Sequence, residues 1–293
     1  MNPTRLGVWA GTDELSAVEA AGFAKRVEAW GYGALWIPEA VGREAFSACG
    51  WLLASTRRLI IASGIANIYA RDPLSAAGAQ KGLNELSGGR FLLGLGVSHI
   101  PFVEGVRHHS YGKPVATMRA YLAGMKQAPY RSAAPPEPPK TVLAALGPKM
   151  LELSAAAADG AHPYNVTPEH TLKARGVLGA GKLLCVEQGA VLESDATKAR
   201  AIARRFLSLY LGLPNYVDNW RRLGFSDGDF AGGGSDRLID AVIAWGDEKA
   251  IRGRVQEHWQ AGADHVCVQA IGHEGGTDER LLGLLAPGAK RAA

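Results

Sequence analysis

Two hydrophobic periods alternate along the chain. Short aliphatic runs, such as "LGVWA" at residues 6–10 and "RLIIASGIANIYA" at 58–70, are each followed by a longer stretch with apolar positions three or four residues apart. The first such stretch, "ELSAVEAAGFAKRVEAWG", predicts a helix with Leu15, Val18, Phe23, Val27 and Trp30 on its apolar face and Gly31 just past its end. The rhythm repeats with strands at "YGALWIPE", "RFLLGLGV", "KTVLAAL", "ADGAHPY", "KLLCVEQGAVL" and "AGADHVCVQAI". Helices are predicted over 45–55, 73–86, 113–127, 148–158, 168–178, 195–211 and 247–260. "SHIPFVEGVRHHSYG" reads as irregular, and the prolines of "PYRSAAPPEPP" forbid regular structure there. Residues 214–246, with their aromatics and a Gly triplet, read as mixed helix and loop. A polar tail closes the chain.

Repeated strand–helix units imply parallel strands joined by right-handed crossovers, and eight such units imply closure into a TIM (β/α)8 barrel. The whole chain, 1–293, is expected to be one barrel domain with a small helical and loop insertion late in the sequence. A doubly wound open sheet is the alternative, but the first strand–helix turn, "GVWAGTDELS", carries no dinucleotide fingerprint.

Composition narrows the partners. The net charge is +4 over 293 residues, with Lys and Arg scattered among Asp and Glu, so nucleic-acid binding is not expected. No stretch approaches the roughly 18 unbroken apolar residues of a membrane helix, and no signal-peptide pattern opens the chain. Cys49, Cys185 and Cys267 lie far apart without metal or disulfide spacing, which fits a reducing cytoplasm.

In such a barrel the chemistry sits where strands exit. Asp72-Pro73, Gly147-Pro148 and Thr167-Pro168 each pair an N-cap residue with proline at the first helical position, so three helix N-termini face one rim and offer N–H groups to an anion. "AALGPKM" is the best phosphate candidate, because Gly147 permits close backbone approach and Lys149 adds charge. "GLGVSHIP" lacks the third glycine of a nucleotide loop; its glycines are read as room for a flat ligand, with Ser98 and His99 emerging at the rim. His99 suits proton transfer and Glu39 is a second rim carboxylate. His108 and His109 read as solvated loop residues. His162 and Tyr164 leave their strand on one side, to line the pocket or to pack beneath a lid. No Ser-His-Asp order and no metal motif is visible.

Together "YGALWIPE", "GIANIYARDPLSAA", "LSGGRFLLGLGVSH", "AALGPKMLELSAAAADG" and "AGADHVCVQAI" resemble the luciferase-like monooxygenase superfamily, and within it the probable coenzyme F420-dependent oxidoreductases. The resemblance implies a TIM barrel, a homodimer, a small-molecule substrate, and coenzyme F420, or alternatively FMN, held at the rim. It implies a cis peptide at Gly64-Ile65 against the ring centre and a ring edge near Glu39, Asn67 and Gly96 to His99 (Gly96, Val97, Ser98, His99). It also implies a phosphate near Ala145, Leu146, Gly147 and Pro148, with His162 and Tyr164 at the neighbouring exit. Glu39-Ala40 stands where many members carry Asp-His. The implied activity is hydride transfer between F420 and a small organic substrate. The alternatives are an FMN-dependent monooxygenase using O2, a non-catalytic flavin-binding barrel, and a cofactor-free phosphate-binding lyase or isomerase.

Overall fold

A computed structural model describes residues 2–288. Its parallel strands are β1 (Leu6–Trp9), β2 (Ala34–Ile37), β3 (Ile60–Ser63), β4 (Ala66–Asn67), β5 (Phe91–Gly96), β6 (Thr141–Leu143), β7 (Gly160–Ala161), β8 (Leu183–Leu192), β9 (Ala244–Gly246) and β10 (His265–Ala270). Pairing runs β1–β2–β3–β5–β6–β7–β8–β10 and returns to β1, closing an eight-stranded TIM barrel. The barrel expected from the rhythm is therefore present.

Two strands depart from that expectation. The third run is split: Ala62 to Ala66 spans the same length of ladder as Leu92 to Leu95 on β5, so β3 and β4 flank a bulge with one extra residue. Ser63 bridges the interrupted ladder, its hydroxyl donating to Gly94 O (2.8 Å) and accepting from Gly94 N (2.9 Å). The other departure is β9, inside the segment read as helix and loop, which extends the sheet beside the upper part of β8.

The helices around the barrel are α1 (Ala17–Ala29), α2 (Ala45–Ser55), α3 (Pro73–Ser87), α4 (Pro114–Gln127), α5 (Pro148–Ala157), α6 (Pro168–Leu178), α7 (Ala196–Leu211), α8 (Pro214–Arg222), α9 (Asp227–Phe230), α10 (Asp236–Val242), α11 (Glu248–Gln260) and α12 (Glu279–Leu285). Side chains of Ser16, Asp72, Thr167, Asp195 and Asp247 accept from N–H groups in the first turns of α1, α3, α6, α7 and α11, each worth about 1 kcal/mol. The α1 face differs from expectation. A capping box at Ser16 and Glu19 starts the helix so that Ala20, Phe23, Ala24 and Val27 are buried, while Val18 points out at 77% exposure. The expected polar tail contains α12, whose Leu281, Leu282 and Leu285 are buried and whose Leu282 carbonyl accepts from the Tyr32 hydroxyl. A short π-helix, Pro101–Val106, lies in the segment read as irregular.

Aromatic and imidazole rings fill the lower barrel interior. Trp36 is fully buried and stacks on His162 at 4.2 Å between ring centroids, and its indole N–H donates to His265 Nε2 at 3.0 Å. Gly7 makes this possible, since a Cβ there would fall 2.5 Å from His265 Nε2. His265 Nδ1 bonds the Thr4 carbonyl and His162 Nδ1 the Cys185 carbonyl. Burial pulls both imidazoles down to about 4, so both are neutral at pH 7. A second apolar core joins α7, α8 and α10 to the upper ends of β8 and β9 through Val191, Leu207, Trp220, Leu238 and Ile243, and so fixes the late segment beside the mouth.

Candidate active site

Three neighbouring strand exits form a half-buried strip across the barrel mouth. It runs from Ile65 after β3, through Val97, Ser98 and His99 after β5, to Ala144, Leu146 and Gly147 after β6. The Gly64–Ile65 peptide is cis, as the resemblance implies. Gly64 sits close under Trp9, whose indole N–H donates to the Gly64 carbonyl at 3.1 Å; a Cβ on Gly64 would lie 2.7 Å from that nitrogen.

The glycines of β5 do something other than expected. A Cβ on Gly94 would fall 2.1 Å from the Ser63 carbonyl, and one on Gly96 would fall 2.4 Å from Ile65 Cδ1. They make room for the bulge of the neighbouring strand and the Ile65 side chain, not directly for a ligand. Ile65, pressed over Gly96, is then the surface that the mouth presents.

Glu39 is held by both its oxygens. One accepts from Asn67 N (2.7 Å) and Arg71 Nη1 (2.9 Å), and the other from Arg71 Nη2 and, at 3.4 Å, Ala45 N. The pair is buried, with side-chain exposures of 4% for Glu39 and 8% for Arg71, and the guanidinium also reaches Glu44 and lies 4.4 Å from the Phe46 ring centroid. Asn67 is buried as well, its side-chain oxygen accepting from Tyr69 N at 2.9 Å. These two residues brace the exit of the split strand. The expected side-chain amide at a ligand's edge is thus engaged, through its oxygen, in a local turn.

His99 stands at the rim against α8. Its side chain hydrogen-bonds Asn215 and its ring lies 5.8 Å from that of Tyr216. Burial lowers its pKa, and the Asn215 bond holds it up in part. Ser98 adopts a left-handed backbone (φ 57°), and its carbonyl accepts from the Tyr111 hydroxyl at 3.2 Å.

The three helix N-termini are not equivalent. Asp72 and Thr167 satisfy the first turns of α3 and α6 with their own side chains, whereas Gly147 leaves that of α5 without a side-chain cap. A Cβ on Gly147 would stand 3.5 Å from Arg222 Nη1, so the guanidinium lies over this open N-terminus. Positive helix end and arginine converge on one spot. Leu146 takes part through its carbonyl, which His170 Nε2 bonds at 2.8 Å, while the Ala145 side chain is buried in the outer core.

His162 is not at the rim but inside the barrel against Trp36. Tyr164 is half-buried at the mouth, its hydroxyl donating to Gln269 Oε1 (2.7 Å) and bonding the Tyr210 hydroxyl (2.8 Å), with its ring 5.2 Å from Trp9. Below it lies Glu187, fully buried on β8. Sequence reasoning missed Trp9, Arg71, Glu187, Tyr210, Asn215 and Arg222. Only Glu187 carried a local signal, a lone carboxylate inside the apolar run "LLCVEQGAVL". Among the described residues, no His, Cys, Asp and Glu group gathers as a metal site, and no helix is long and apolar enough to cross a membrane.

A family model described as luciferase-like monooxygenase matches residues 1–265. A Mycobacterium tuberculosis protein named as a coenzyme F420-dependent oxidoreductase is 27% identical over 270 residues, covering 76% of this chain and 77% of that protein. Among solved structures, the coenzyme F420-dependent tetrahydromethanopterin reductase of Methanopyrus kandleri superposes with a TM-score of 0.76 at 18% identity over 98% of both chains. The oxygenating constituent of 3,6-diketocamphane monooxygenase from Pseudomonas putida, solved with FMN, gives 0.68 at 15% identity over 98% of both chains.

Proposed function

The chain belongs to the luciferase-like monooxygenase family, and from that premise we propose that it is an oxidoreductase passing a hydride between coenzyme F420 and a small organic substrate. The observation that carries this reading is the strip across three strand exits, which starts on apolar Ile65 and Val97 and ends at the uncapped Gly147 N-terminus beneath Arg222. Such a surface suits a flat ring with a phosphate tail. In this reading Ile65, Gly96, Val97 and Ser98 carry the ring, and Gly147, Pro148 and Arg222 hold the phosphate. The F420-dependent relatives support the choice of cofactor.

The cofactor supplies the hydride chemistry; the protein positions the reactants and handles a proton. His99 is our proton-transfer residue. Its lowered pKa makes it a neutral imidazole at pH 7, able to take the proton released when a substrate carbon gives up hydride and to return it in the reverse direction. Glu39, with both oxygens engaged, is assigned to holding the mouth in shape. Homodimerisation belongs to the same proposal: Val18 and Trp51 (48%) lie exposed on α1 and α2, and size exclusion with light scattering tests it.

F420 and FMN titrated in parallel against the purified protein, followed by fluorescence quenching, test the reading. Tight F420 binding, weakened by Arg222→Met, is expected. Binding of FMN alone would favour the second reading, an FMN-dependent monooxygenase, for which the FMN-bound neighbour is the supporting observation.

A further inference from the structure

Glu187 is a buried carboxyl group that no cation accompanies among the described residues. It is fully buried on the inward face of β8, opposite Cys267, and one oxygen accepts from Asn165 N at 2.9 Å while Oε1 has no partner. No described ion pair includes it. The groups that face it are Tyr164 and Asn165 from the loop before α6, Tyr210 from α7, Tyr216 from α8 and Cys267 from β10; all are neutral at pH 7, and each of the four titratable ones would be pushed up further by a charge on Glu187. Asn165, left-handed at φ 54°, is fixed from above by Trp220, whose indole N–H donates to its carbonyl at 3.1 Å. An anion in such surroundings would lose its hydration with no cation in return. A carboxylic acid loses far less, and its hydroxyl gains the ability to donate.

We propose that Glu187 works as a neutral carboxylic acid beneath the mouth tyrosines, storing a proton that it gives up and recovers as a ligand above it changes charge. This rests on the cofactor reading for its ligand, but the acid itself is a property of the free protein. Its ionisation breaks the bond between the carboxyl oxygen and hydrogen, leaves the electron pair on the carboxylate, and passes the proton to solvent or ligand. Burial pushes the group up to about 8, so the exchange falls within reach of neutral pH. Glu187 acts here as a positioning residue: it sets the charge beneath the tyrosines and does not itself touch the substrate.

Infrared difference spectroscopy on the ligand-free protein tests the first half. A protonated carboxylic carbonyl band should be present at pH 6.5, shift in D2O, fade as pH passes about 8, and be missing from Glu187→Gln. Isothermal titration of F420 and of FMN at pH 8, in two buffers of different ionisation enthalpy, tests the second half. The wild type should take up protons on binding either anionic cofactor, and Glu187→Gln, which mimics the neutral acid, should bind with little proton uptake and with affinity retained at pH 6.5. Absence of the band from the wild type, or unchanged proton uptake in Glu187→Gln, overturns the proposal. Should neither cofactor bind, the cofactor reading fails and with it the ligand-coupled half, while the infrared titration still decides the state of Glu187.

Discussion

The lower and upper halves of one barrel interior are built on opposite plans. Below, Trp36 is clasped by His162 and His265, two bases that burial keeps neutral. Above, Glu187 is an acid that burial keeps neutral, under hydroxyls and amides that reach the mouth. Both sets of groups avoid an unpaired buried charge, but protons affect them with opposite sign. The contrast separates a stabilising floor from a mouth whose polar groups exceed what packing requires.

Acid is the strongest way to break the comparison. The folded-state pKa of each floor histidine lies below its unfolded value, so its contribution is fully present above about 6.5 and lost as pH falls toward about 4. Each histidine forfeits roughly 3 kcal/mol over that window, and buried His258, pulled down to about 3, adds to the loss. Glu187 has the reverse sign: its folded pKa is raised, so its contribution is present below about 4.5 and lost as pH rises through about 8. Urea midpoints measured across pH should peak near pH 6 to 7 and fall more steeply on the acid side, and Glu187→Gln should flatten the alkaline limb and steepen the acid one between about pH 4.5 and 6.5. A midpoint unchanged between pH 6.5 and 4.5 would break the account of the floor.

Trp36→Ala comes next. It removes a fully buried ring and leaves His265 Nε2 without its donor, for an expected loss of about 3–5 kcal/mol in denaturant unfolding. Arg222→Met should leave stability unchanged within about 0.5 kcal/mol, since its guanidinium is exposed, yet weaken the cofactor about tenfold in the quenching titration. Tyr210→Phe is the mildest. It removes one partner of Tyr164 while Gln269 still accepts from that hydroxyl, so about 1 kcal/mol of stability is expected to go. A loss as large as that of Trp36→Ala would mean that mouth and floor form one cooperative unit.

The barrel was legible because periodicity is local: the exits of the eight barrel runs and most helix starts can be read within ten residues, whereas β9 lies outside that rhythm. The strip from Val97 to Gly147 was legible for the same reason. Side-chain destinations were not. Alternation placed His162 and Tyr164 on one side of their strand but could not tell that the first would sink beside Trp36 while the second stayed at the mouth. The pairing of Glu39 was hidden because Arg71 arrives from the turn between β4 and α3, and Arg222 meets Gly147 only after α8 has folded across the rim. The glycines of β5 were assigned to a ligand when the neighbouring bulge claims the space, a relation between two strands that neither run reveals alone. Glu187 is the one case where a visible signal went unused.

The single extra residue between β3 and β4 acts as a parity switch. Ile60 and Ala62 point into the barrel, whereas Ala66 and Ile68, which an unbroken pleat would also turn inward, pack in the outer core. Deleting any one of residues 63–65 would leave three steps from Ala62 to Ala66, matching Leu92 to Leu95, so the strand could run as a regular pleat with Ala66 still facing outward, and only the bulge that presents Ile65 would be lost. Straightening the bulge with the extra residue kept would instead reverse inside and outside for the whole rim segment, exchanging Ala66 for Asn67 across the sheet. The mouth's architecture therefore rests on one surplus residue being absorbed by a bulge in one strand.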